Sequence, residues 1–199
     1  MIKRTLVAAA LAFALASGGA QATNIVDTGT PGGWGLTFDK TQYFAGEFSL
    51  LDDSSINGIQ GYFATAAGNV GISVLSNFGD LPGSVLYSTN LVTTAGAAAW
   101  RGVSGLDWSL AAGTYWVAFT PDFTSAYNEI VVGAATPLLA YAQHGGSGDW
   151  QAPLYNLGLG VRIDGVAAVA ADVPEPTSIA LCALGLAGLA VVARRRTKA

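Results

Sequence analysis

The 199-residue chain has one cysteine and one histidine, and only 11% of its residues are charged. The cysteine, Cys182, lies in an apolar run near the C-terminus. The middle of the chain therefore has no intrachain disulfide and no cysteine-based zinc site. A fold there must be held by its own core, and about 145 residues can bury enough surface for that. Basic residues are scarce as well. Between Thr23 and Asp172, Lys40, Arg101 and Arg162 stand against twelve acids, a net charge of −9. Nucleic acid is excluded as a partner, because neutralising phosphate needs clustered Lys and Arg. Helical stripes are missing from the same stretch, which removes helix bundles and α/β folds from consideration.

What is present points outward from the cell. The 26 glycines and five tryptophans, with few charges, suit an extracellular β-protein better than a cytosolic enzyme. Lys3 and Arg4 precede an apolar run from Leu6 to Ala16, followed by Ala20-Gln21-Ala22. A basic start, a short apolar core and a small-x-small site predict a secretory signal peptide over residues 1–22. The run is too short to span a membrane comfortably, which disfavours an N-terminal anchor. Secretion machinery and a signal peptidase are the expected partners, with Thr23 as the new N-terminus.

The other end, residues 173–199, has three parts. Val173-Pro174-Glu175-Pro176 fixes an extended backbone and blocks helix entry. An apolar helix is expected over 177–193; its charge-free part from Ser178 to Ala193 would be ~24 Å long, short for a bilayer but workable. Arg194, Arg195 and Arg196 follow, with Lys198 behind them, and such a cluster stays on the cytoplasmic side. An exported body held by a C-terminal stop-transfer helix is the expectation.

This order of Val173-Pro-Glu-Pro, apolar helix and arginine cluster resembles the PEP-CTERM sorting signal. The resemblance implies a Gram-negative bacterium with an extracellular polysaccharide system. It also implies an exosortase partner that would recognise Glu175 and its prolines and remove the tail, so that the inner membrane would hold the chain only transiently. An ordinary tail anchor with a stiff Pro-Glu-Pro spacer is the plainer alternative.

Residues 23–172 alternate with a period of two, as strands do. Val70, Ile72 and Val74 form one such row. Val117 and Phe119 form another, opposed by Trp116, Ala118 and Thr120, and Leu157 to Asp164 forms a third. Further strands are expected near Glu47–Leu51, Ile56–Thr65, Val85–Ser88, Trp100–Trp108 and Ile130–Val132. Turns are expected at Asn57-Gly58, Ala111-Ala-Gly113 and His144–Gly148, and a type II turn at Pro82-Gly83. Short strands without crossover helices predict an all-β fold, an antiparallel β-sandwich or jelly roll. The segment from Val70 through Asp80-Leu-Pro-Gly83 to Leu110-Ala-Ala-Gly-Thr-Tyr-Trp-Val117 resembles the β-sandwich of bacterial choice-of-anchor surface modules.

Catalytic chemistry finds little footing. His144 is expected in a Gly/Ser loop with Asp149 five residues on, and no nucleophile elbow accompanies them. A glycosidase needs two carboxyl groups about 5–10 Å apart. Asp52 with Asp53 point to opposite faces of an extended chain, and Asp122 with Glu129 match no signature. No catalytic residue and no required cofactor is expected; structural calcium at the Asp52–Ser55 or Asn77/Asp80 turns is the one metal chemistry the loops allow. Trp34, in Pro31-Gly-Gly-Trp34, and Trp150, after Asp149, are expected on loops, where an indole beside an acid makes a platform for sugar. The expectation is a non-enzymatic cell-surface or extracellular-matrix protein of a polysaccharide-rich biofilm. A carbohydrate-binding module using Trp34, Asp149 and Trp150, and a secreted glycoside hydrolase, are the alternatives.

Overall fold

The computed structural model describes residues 23–124, 128–145, 148–152 and 156–167. The expected signal peptide, Val173–Pro176, the 177–193 helix and Arg194–Arg196 lie outside the described residues.

Among the described residues, twelve strands form two antiparallel sheets. The first contains β1 (Thr23–Asp27), β2 (Gly35–Thr37), β4 (Ser54–Thr65), β7 (Gly96–Leu110), β9 (Glu129–Val131) and β12 (Val161–Ala167). Its centre is β4, which pairs with β7 on one flank. On the other flank β4 takes β12 and, at Phe63, β9. The second contains β3 (Gln42–Leu50), β5 (Gly68–Phe78), β6 (Leu81–Thr93), β8 (Gly113–Pro121), β10 (Tyr141–Gly145) and β11 (Trp150–Gln151), in the order β11-β10-β3-β8-β5-β6.

Alternation decides what lies between the sheets. Phe44 and Phe48 of β3, Val70, Ile72 and Val74 of β5, and Val117 and Phe119 of β8 turn inward from one sheet. Ile56, Ile59 and Phe63 of β4 and Val161 and Ile163 of β12 meet them from the other. Phe63 is the junction, tilted against Phe119 at 5.7 Å and Phe38 at 5.0 Å. Burying each such ring contributes about 1.5–3 kcal/mol. The result is the expected all-β antiparallel sandwich.

Three local expectations are corrected. The β5–β6 turn is Gly79-Asp80, with φ of 60° and 61°. Two positive φ values match the right-handed twist of a hairpin, so Pro82 and Gly83 lie inside β6 and do not form a type II turn. Asn57 and Gly58 are within β4, at a register shift against β7; the Asn-Gly pair marks a bulge. The alternating run from Leu157 becomes strand only at Val161. Gly158 adopts a φ of 60°, which breaks the pairing while Leu157 and Leu159 stay buried.

Candidate functional site

The outward side of the second sheet carries a row of alanines next to a tryptophan. Register places Ala142, Ala45 and Ala118 side by side across β10, β3 and β8. In the next row Glu47 and Leu75 flank Trp116. Trp116 points away from the main core yet is 0% exposed, because Leu81, Ala140 and Trp150 pack over the cluster it forms with the alanines.

A polar brace fixes its edge. The indole N–H of Trp116 donates to Asn77 Oδ1 at 3.2 Å, and Asn77 Nδ2 donates to Glu47 Oε1 at 2.9 Å. Glu47 is itself buried. Loss of water raises its pKa above the ordinary carboxylate value, and the negative charge of Asp80 pushes in the same direction.

Trp150 is held by an aromatic row. Tyr43, His144 and Trp150 are neighbours across β3, β10 and β11. Tyr43 and His144 stack at 4.5 Å and 10°; Trp150 stands edge-on to both, at 5.5 and 5.4 Å. Burial raises the pKa of the Tyr43 phenol. His144 Nδ1 is buried with no hydrogen-bond partner among the described residues.

Between Trp150 and the β5–β6 hairpin lies an open groove of about 740 Å³, lined by Asp149, Trp150, Phe78, Leu81, Pro82 and Ser84, among others. Phe78 is 79% exposed. Asp149 and Trp150, two of the three residues singled out in the sequence, therefore share one groove. Trp150 lies in the short strand β11 and not in a loop. Trp34 stands apart beside β2 of the other sheet, 61% exposed, its carbonyl accepting from Val132 N–H. Sequence reasoning missed Phe78 and the hairpin wall, because only the fold brings residue 78 to residue 150.

The first sheet carries a second outward aromatic. Trp100 of β7 pairs with Tyr62 of β4 and meets its ring edge-on at 5.4 Å. The Arg162 guanidinium lies 3.9 Å from the Trp100 ring centre, and Arg162 Nε lies 3.2 Å from Asp27 Oδ1. Asp27 also accepts from Gly29 N–H, and that bond, ahead of Arg162, lowers its pKa.

Two of the acids considered for catalysis or calcium, Asp53 and Asp122, have other partners. Asp53 accepts from Ala112 N–H at 2.9 Å. Asp122 accepts two hydrogen bonds from Asn69, which lower its pKa. It follows β8 of one sheet, whereas Glu129 lies in β9 of the other. Among the described residues no three His, Cys, Asp or Glu side chains converge as a metal site.

Comparison with known families matches one region. Residues 172–196 match the PEP-CTERM protein-sorting motif. No curated protein matches the chain. The chain thus carries the sorting motif of an exported protein presented to an exosortase. The match does not extend into the sandwich, whose likeness to choice-of-anchor modules rests on its sequence features alone.

Proposed function

We propose that the chain is a non-enzymatic cell-surface or matrix protein, delivered by exosortase sorting to a polysaccharide-rich exterior. The observation that carries this reading is the sorting motif at residues 172–196. The sandwich supports it through what three of its candidate catalytic groups are doing: the Asp53 carboxylate accepts from Ala112 N–H, Asp122 accepts from Asn69, and the His144 ring is stacked on Tyr43. Purified exported protein incubated with glycan and peptide substrates should show no turnover; hydrolysis of either would overturn the reading.

A second reading adds a ligand. The groove between Trp150 and Phe78 supports polysaccharide binding, since rigid apolar rings beside a few polar groups are what a sugar face and its hydroxyls require. Trp150 supplies a held indole, Phe78 an exposed ring, and Asp149 and Ser84 acceptors and a donor at the rim. Calcium has no part in this reading. Retention of the exported protein on the producer's own polysaccharide should fall roughly tenfold for Trp150→Ala or Phe78→Ala, the scale of one lost aromatic anchor. Trp34→Ala should leave retention unchanged. Equal retention of all three variants and the parent would remove the groove from the account.

A further inference from the structure

β6 is the last strand of its sheet, 13 residues long, and among the described residues nothing pairs with its outer edge. Proteins protect such edges with charge, proline, bulges or short length, because unpaired N–H and C=O groups template another strand. Leu81–Thr93 contains no charged residue at all, although the body around it carries a net −9. Its proline, Pro82, and its register shifts fall at the hairpin end, before Tyr87. From Tyr87 to Thr93 the pairing with β5 is regular. Along that stretch Tyr87, Thr89 and Leu91 are half-buried, whereas Ser88, Asn90 and Val92 are exposed, Val92 to 80%.

We infer that this edge pairs with the same edge of a second copy. An antiparallel pair related by a two-fold axis sets residues of equal parity opposite one another, so the inward and outward rows stay in register. Centring the axis on Asn90 uses only the regular stretch. Asn90 then faces Asn90, whose amide is both donor and acceptor. Val92 faces Ser88, Leu91 faces Thr89, and Tyr87 faces Thr93. The uncharged strand lets two acidic bodies meet where neither presents a charge. Pairing joins the second sheets of two copies into one continuous sheet.

Sedimentation of the exported protein, purified from its host, tests this with two single variants. The parent should be dimeric at micromolar concentration. Asn90→Lys and Asn90→Asp each place like charges on the axis and should dimerise roughly tenfold more weakly or worse. An equimolar mixture of the two should recover a dimer, since Lys then faces Asp. Recovery also shows that both variants fold. A parent that stays monomeric through the micromolar range would overturn the inference. So would single variants that dimerise as the parent does, or a mixture that stays monomeric.

Discussion

Trp116 of β8 and Trp100 of β7 both point away from the shared core, one in each sheet. Trp116 is completely buried and Trp100 only half-buried. The strands do not account for the difference, since both are regular at these positions and both indole N–H groups have acceptors, Asn77 and Thr30. What differs is the cover. Over Trp116 the β5–β6 hairpin and β11 supply Leu81 and Trp150. Trp100 has the Arg162 guanidinium on its face and the Tyr62 ring at its edge. An outward tryptophan in a sandwich is thus satisfied either by a second small core or by a cation and solvent, and the first route creates a groove at its margin.

The largest effect should come from removing each ring. Trp116→Ala should lower unfolding free energy by about 3–5 kcal/mol, as deletion of a buried aromatic does. Trp100→Ala should cost about 1 kcal/mol, the scale of a partly exposed cation–π contact. Urea titration of both variants compares them directly; equal losses would erase the contrast between the two faces.

Protonation sharpens the comparison, because the two faces carry acids shifted in opposite directions. Glu47 binds its proton more tightly in the folded protein than in the unfolded chain, owing to burial and then to Asp80. Its contribution therefore becomes more favourable as pH falls from neutral into the raised range. Glu47→Gln, which keeps an acceptor for Asn77, should stabilise by up to about 1 kcal/mol at neutral pH. That advantage should vanish at acid pH.

Asp27 behaves with the opposite sign. Its pKa is lowered, first by Gly29 N–H and less by Arg162, so its contribution is present above the ordinary aspartate range and lost as pH falls toward the lowered value. Asp27→Asn should cost no more than about 0.5 kcal/mol at neutral pH, as for other exposed ion pairs, and nothing in strong acid. Thermal melts across pH for the two variants should diverge in opposite directions at neutral pH. Parallel curves would show that the two carboxyl groups share one environment.

The terminal tag was legible because it is written in contiguous sequence, with Pro174, Glu175 and Pro176 adjoining an apolar run. The sandwich was legible where a strand has one face on the main core, as in Val70–Val74 and Val117–Phe119. It became illegible where a single residue redirected the backbone. Gly158 ended a pattern that the alternation of Leu157 and Leu159 suggested would continue, and Gly79-Asp80 made the turn that Pro82-Gly83 advertised. The groove was half legible. Asp149 and Trp150 stood out as an acid beside an indole, but the wall opposite comes from the β5–β6 hairpin, a juxtaposition no local pattern encodes.

The central claim is that this chain is exported and sorted through its C-terminal motif. Intact mass of the mature protein recovered from its native host tests it most directly. The account predicts loss of residues 1–22 and cleavage at or beside Val173–Pro176, with the protein found outside the inner membrane. A full-length chain with both ends intact, soluble in the cytoplasm, would contradict it.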